Sequence, residues 1–258
     1  MIEHTAGVPT PDGTMNTFVV HPTEGGPFAP IVLFMDIWGI REELREIARR
    51  VATVGYACLL PDFYYRQGDD VHNERYGPDG RMVSLHRMDA DEERKVHEPR
   101  LKLTGAMMKD DTAALLDFID GDNAMRGGPV GSVGWCMGGT AVLAAAGNFP
   151  GRFRAGAGLH ATMPITDRPD SPHLLADRFR GELYCGWGAL DHLTPPAMAE
   201  ALGDLLEPCA VRYRSTIHEG AEHGYALPDR DIFDARAAAT DWGLIFAMWQ
   251  RQLGAAGT

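Results

Sequence analysis

Short apolar runs alternate with longer segments of helical period along most of this chain. The short runs predict strands, and the one at residues 57–60 predicts a buried strand. They occupy residues 17–20, 31–35, 57–60, 131–135, 155–159, 183–187 and 211–215. Apolar residues spaced three and four apart predict helices at residues 41–54, 106–119, 138–147, 198–206 and 232–253. This alternation predicts an α/β fold whose mostly parallel central sheet carries helices on both faces.

The length of 258 residues fits one domain, and we expect residues 1–258 to form a single α/β unit. Residues 66–100 interrupt the pattern, because they are polar, charged and rich in turn-forming residues and show no clean period. Two interpretations stay open for this segment. It is either an excursion over the surface or a lid or cap over a site, since long irregular loops in compact domains are often functional.

The net charge and the absence of long apolar stretches argue against nucleic acid and membranes as partners. A formal net charge of −12 disfavours binding to phosphate backbones or anionic lipid. The first residues lack a basic segment followed by an apolar one, and no run of about 18 apolar residues occurs. We therefore expect a cytoplasmic monomer or small homo-oligomer whose partner is a small molecule rather than nucleic acid or a membrane.

One of the four cysteines lies in a sequence with chemical meaning. Cys58, Cys185 and Cys209 read as small buried hydrophobic residues. Around Cys136, however, residues 134–139 read Gly-Trp-Cys-Met-Gly-Gly between a predicted strand and a predicted helix. This is the G-x-nucleophile-x-G pattern of a nucleophile elbow, with Cys in place of Ser. The alternative is a glycine-rich turn that only packs the helix onto the sheet.

A cysteine nucleophile requires a base, and the base requires an orienting acid. Asp191 follows the strand at 183–187, and His223 follows the strand at 211–215, in the chain order nucleophile, acid, histidine. His192, His218 and His160 are competing histidines that we expect to be structural. The spacing around His218 and His223 matches no zinc-binding pattern, so we expect neither a metal nor another cofactor.

Taken together, these motifs resemble the dienelactone hydrolase family from Ile31 to the last helix. The matching pieces are Asp36-Ile37-Trp38-Gly39, Gly55-Tyr56 through Pro61-Asp62, the Cys136 elbow, Gly188 to Asp191, and Gly220 to Tyr225. The resemblance implies an α/β-hydrolase fold and the triad Cys136, His223 and Asp191. It further implies cleavage of a carboxylic ester or lactone through a thioester, with an oxyanion hole formed by the backbone N–H groups of Ile37 and Met137.

Two departures from the family pattern bear on the site. Asp36 stands where the family commonly has a Glu that holds the resting cysteine, and we expect Asp36 to keep that role with a shorter reach. The family binds a substrate carboxylate with arginines, one of them shortly after the catalytic His. Here the first arginine after His223 is Arg230. Candidates within the irregular segment are Arg75, Arg81 and Arg87.

Aromatic residues near the motifs suggest an apolar substrate pocket. They are Trp38, Tyr64, Tyr65 and Tyr225, and His160 is a further candidate because it follows a predicted strand. The function classes that stay open are a dienelactone-type hydrolase, a broad small-ester hydrolase, a non-catalytic ligand-binding protein on the same scaffold, and a thiol redox protein that uses Cys136.

Overall fold

An eight-stranded sheet forms the centre of the protein. The computed structural model describes residues 1–69 and 71–254. The strands are β1 (Ile2–Thr10), β2 (Gly13–His21), β3 (Pro30–Phe34), β4 (Ala57–Pro61), β5 (Val130–Trp135), β6 (Phe153–Leu159), β7 (Glu182–Gly188) and β8 (Arg212–His218). Their order is β1-β2-β4-β3-β5-β6-β7-β8. β2 pairs antiparallel with both β1 and β4, and all other neighbours are parallel.

Helices cover both faces of the sheet. They are α1 (Glu42–Thr53), α2 (Ala90–Leu101), α3 (Gly105–Gly121), α4 (Met137–Asn148), α5 (Pro196–Leu206) and α6 (Ala235–Leu253). At the sheet centre, Gly156 faces Val142 of α4, whereas Gly131 faces Trp249 of α6. The predicted α/β-hydrolase fold class is therefore confirmed. None of the described helices is long and apolar enough to cross a membrane.

All predicted strands and helices are present, and two further elements lack an apolar pattern. β1 is an edge strand that pairs only with β2 and is mostly exposed, so it has no hydrophobic run. α2 buries only Val96 and Pro99, and it begins at a capping box in which Asp89 and Glu92 bond each other's backbone N–H groups. α6 begins at Ala235 rather than at residue 232, because the Asp234 side chain caps its first turn.

The segment at 66–100 is folded against the loop that follows β8. The backbone N–H of Met82 donates to Asp229 O at 2.7 Å, and Asp231 N donates to Met82 O at 3.1 Å. Arg87 adds an ion pair to the Asp231 carboxylate at 2.8 Å. These contacts attach the segment to the chain beyond His223, so it lies beside the carboxyl ends of the parallel strands, where ligands bind in such sheets.

Candidate active site

Cys136 occupies a strained turn between β5 and α4. Its backbone has φ 54° and ψ −118°, a conformation rare for a residue with a side chain. The neighbouring glycines permit this turn: a Cβ at Gly134 would lie 2.3 Å from Gly138 O, and one at Gly138 would lie 2.2 Å from Phe34 O. The turn presents the Cys136 side chain at the N-terminus of α4, where the helix dipole favours a thiolate.

The Cys136 thiol lies among groups that favour its ionised form. Its Sγ is 3.1 Å from the Thr162 hydroxyl, and the two backbones are joined by a 3.2 Å bond from Thr162 N to Cys136 O. Burial raises the pKa of the thiol, but the charge of His223 and the hydrogen-bonding groups outweigh burial, so the pKa of Cys136 is lowered. Thr162 follows the carboxyl end of β6, a position that sequence reasoning overlooked although ligand-facing residues often lie there.

His223 and Asp191 form a buried hydrogen-bonded pair. His223 Nδ1 donates to Asp191 Oδ2 at 2.8 Å, and the other carboxylate oxygen accepts from Leu193 N at 2.8 Å and Thr194 N at 3.0 Å. Burial lowers the pKa of His223, but the Cys136 thiolate and Asp191 overcome that effect and raise the pKa to about 10. The Nε2 atom is buried and has no hydrogen-bond partner among the described residues. It is therefore available to carry a proton to or from a bound ligand.

The loop after β3 brings Ile37 to the same cavity as Cys136 and Met137. Neither Ile37 N nor Met137 N donates a hydrogen bond to a described residue. The Tyr64 hydroxyl donates to Ile37 O at 2.9 Å and contacts Met137 Sδ at 3.8 Å, and so it connects the two segments. Two backbone donors thus flank the thiol, an arrangement that can stabilise a developing oxyanion.

Asp36 forms an ion pair with Arg41 rather than a hydrogen bond with Cys136. Its Oδ1 accepts from Trp38 N at 3.1 Å and from Arg41 Nη1 at 2.9 Å. Arg41 also pairs with Asp229 at 2.5 Å. No hydrogen bond joins Asp36 to Cys136, and Asp36 Oδ2 is buried without a partner among the described residues. In this geometry the thiol is held by Thr162 instead.

The predicted pocket residues lie behind the site and do not line its cavity. Trp38, Tyr64, Tyr225 and His160 are each at most 1% exposed. The His160 ring packs edge-on against His223 at 5.0 Å and against Tyr225 at 5.4 Å between ring centroids. His160 and Tyr225 therefore pack behind His223, and Tyr64 supports the Ile37 loop, which is consistent with their complete burial.

A cavity of about 340 Å³ opens over Cys136. Its walls come from the carboxyl ends of strands, from α4, and from the segment at 66–100, which contributes Leu85, His97 and Arg100. The three arginines named from the sequence do not line it, and two of them are ion-paired elsewhere, Arg75 with Glu92 and Arg87 with Glu222 and Asp231. Arg100 was not predicted to line the cavity, because α2 has no hydrophobic period that would show which of its residues face inward. The described residues contain no cluster of three or more metal-binding side chains.

Comparisons with known proteins agree with this geometry. The sequence pattern of the dienelactone hydrolase family matches residues 15–253. A Synechocystis protein named as a carboxymethylenebutenolidase is 26% identical, over 92% of this chain and 91% of that protein. A Klebsiella pneumoniae structure described as a dienelactone hydrolase covers 97% of this chain and 98% of its own at TM-score 0.82 and 19% identity. A dienelactone hydrolase-like promiscuous phosphotriesterase from metagenomic libraries covers 98% and 99% at TM-score 0.74 and 20% identity.

Proposed function

This chain belongs to the dienelactone hydrolase family, and we propose that it hydrolyses a carboxylic ester or lactone through covalent catalysis by Cys136. Asp191 orients His223, and His223 acts as acid and then as base. The observation that carries the proposal is the strained Cys136 turn, which lines the cavity, together with the 2.8 Å His223–Asp191 pair, in which the charge of His223 lowers the pKa of Cys136.

The reaction proceeds in two steps. In the first, the Cys136 thiolate attacks the carbonyl carbon, and the resulting oxyanion accepts hydrogen bonds from Ile37 N and Met137 N. Collapse of the tetrahedral intermediate breaks the ester C–O bond, and His223 Nε2 gives its proton to the leaving oxygen. In the second step, His223 removes a proton from water, which attacks the thioester and releases the acid together with the thiolate.

The coupled charges of the resting site favour this mechanism over a non-catalytic role. Cys136 and His223 shift each other's pKa in opposite directions, which favours the thiolate and the imidazolium that the first step consumes. Among hydrolases, a broad small-ester activity remains the second candidate, because the two arginines that line the described cavity already have partners. Arg100 donates to Leu103 O, and Arg168 pairs with Asp170.

Hydrolysis of a dienelactone and of p-nitrophenyl acetate tests the proposal. Wild type, Cys136→Ala and the matched control Cys209→Ala are compared, since Cys209 lies outside the cavity near the end of α5. We expect activity in wild type and in the control and a loss of at least a thousandfold in Cys136→Ala. Mass spectrometry of the His223→Ala variant with p-nitrophenyl acetate should show one acetyl group on Cys136. Full activity in Cys136→Ala would refute the proposal, and cleavage of the acetate alone would favour the second candidate.

A further inference from the structure

The cavity over Cys136 continues along one whole side of α4. Six residues of the helix line it: Met137, Thr140, Ala141, Ala144, Ala145 and Asn148. From Met137 to Asn148 the helix rises about 17 Å at about 1.5 Å per residue. We call this extension the α4 groove. It is far longer than a reacting carbonyl and a small ring require.

The side chains along the floor of the α4 groove keep it open. Thr140, Ala144 and Asn148 recur at intervals of four and are the partly exposed positions of a helix that is otherwise buried against the sheet. Ala144 lies at the middle of the groove and occupies little space there. A chain could therefore lie along the helix without displacing any backbone.

The opposite wall of the groove is largely apolar. α3 contributes Met108 and α2 contributes Leu101, while Pro172 and Phe149 close the far part. Leu101 is 79% exposed, so its side chain adds apolar surface to this wall that a bound chain could cover. Apolar surface of this kind gains from covering by a hydrocarbon chain, because water leaves both surfaces.

Charged groups lie at the solvent edge of the groove. Arg168 and Asp170 pair with each other at 3.0 Å and remain 63% and 43% exposed. Lys109 is also exposed and lines the same edge. These three charges can therefore stay in water when a chain binds. Arg100 also lines the cavity and is half-buried, but its Nη1 donates to Leu103 O at 2.8 Å, so this guanidinium already has a partner.

We propose that the α4 groove binds an extended apolar chain of the substrate, so that the preferred esters or lactones carry a linear alkyl or alkenyl chain. With C–C bonds of about 1.5 Å, a zigzag chain of roughly a dozen carbons spans the groove from the thiol to Asn148. The inference rests on the proposed function, since Cys136 lies at the beginning of the groove. Each methylene that enters should raise kcat/KM by about twofold to fourfold.

Two substrate series test the groove in the full-length enzyme. The first contains p-nitrophenyl acetate, butyrate, octanoate and decanoate, and the second contains acetates of alcohols with the same chain lengths. In one of the two series we expect kcat/KM of wild type to rise at least tenfold from the two-carbon to the eight-carbon chain. The series that shows the rise identifies the part of the substrate that occupies the groove.

Two variants measure how far the substrate chain extends along the α4 groove. Ala144→Leu should remove the preference for eight carbons, whereas Asn148→Phe, one turn further from Cys136, should keep that preference and lower kcat/KM only for an added dodecanoate or dodecyl ester, whose chain is long enough to reach residue 148. Ala239→Leu, an equal enlargement on the exposed side of α6, is the matched control and should keep the wild-type ratios. Circular dichroism spectra compare the folding of the three variants.

The outcomes distinguish a failure of the groove proposal from a failure of the proposed function. Hydrolysis of acetates with rates that stay flat or fall with chain length in both series would overturn the groove proposal and leave the proposed function standing. Retention of the eight-carbon preference by a folded Ala144→Leu would also overturn it. No hydrolysis of any ester by wild type would instead refute the proposed function, and the groove proposal with it.

Discussion

The buried carboxylate of Asp241 connects the chain around His223 to helix α6. It is fully buried and accepts hydrogen bonds from the hydroxyls of Tyr184 and Tyr225, both at 2.6 Å, and from His218 Nε2 at 2.7 Å. Burial and the Asp241 charge raise the pKa of both tyrosines, so each remains a donor. His218 and Tyr225 flank His223 in sequence, whereas Tyr184 belongs to β7.

Because Tyr225 lies near His223 in sequence and Tyr184 does not, substitutions of the two tyrosines can be compared. Tyr184→Phe and Tyr225→Phe each remove one 2.6 Å hydrogen bond to the same carboxylate and leave the ring in place. A hydrogen bond to a charged group contributes about 1.5–3 kcal/mol, so both variants should lose free energy of unfolding in that range. The loss should be larger for Tyr225→Phe, because Asp241 Oδ1 keeps His218 as a partner when Tyr184 is changed, whereas Oδ2 accepts from Tyr225. Only Tyr225→Phe also releases the residue two positions after His223, whose ring packs on His160 and through it on the His223 ring.

Urea denaturation and steady-state kinetics of the two variants test this reasoning. We expect the larger loss of unfolding free energy in Tyr225→Phe, and a fall in kcat of at least fivefold for that variant with little change for Tyr184→Phe. KM should change little in both, because neither residue lines the cavity. Equal kcat values in the two variants, or a loss of less than about 0.5 kcal/mol in either, would refute a positioning role for the Asp241 contacts.

Two shorter predictions concern charge. Because the pKa of His223 is raised to about 10 and that of Cys136 is lowered, the ion pair should persist through neutral pH. The kcat/KM profile for p-nitrophenyl acetate should then stay level through neutral pH and fall as pH rises through about 10. A rise in rate near pH 6.5 would contradict it. Arg41→Met leaves the buried Asp36 without its cation and should cost about 3–5 kcal/mol in urea denaturation. A loss below about 1 kcal/mol would show that Asp36 tolerates the change.

The fold was predictable because its central elements are buried. Strands β3 to β7 lie within the sheet and have apolar runs that mark them, and the helices packed on them carry a period of three and four. The elements that were not predicted face solvent. The edge strand β1 and the helix α2 derive their stability from backbone pairing and capping, which leave little trace in hydrophobicity.

The candidate site was predictable only in part, for a topological reason. Cys136, Asp191 and His223 each follow a parallel strand, and the carboxyl ends of such strands meet at one edge of the sheet. The cavity walls instead come from α2, α3 and the outer face of α4, whose contacts depend on how the helices pack. An aromatic side chain such as Tyr225 shows the same sequence signal whether it lines a cavity or supports a neighbouring histidine.

The shorter side chain of Asp36 is linked to a different resting arrangement of the nucleophile. A carboxylate in this place could either hold the thiol or pair with a cation, and here the buried Arg41 occupies Oδ1. Since an unpaired buried charge costs several kcal/mol, Asp36 gains more from Arg41 than it would from a neutral thiol. The thiol then has Thr162 as its partner, a neutral group that does not repel a thiolate. The charge of Asp36 still raises the pKa of Cys136, but the charge of His223 and the hydrogen bonds to the thiol outweigh it. In the proposed mechanism the thiolate therefore forms beside the His223 imidazolium without a hydrogen bond to a carboxylate.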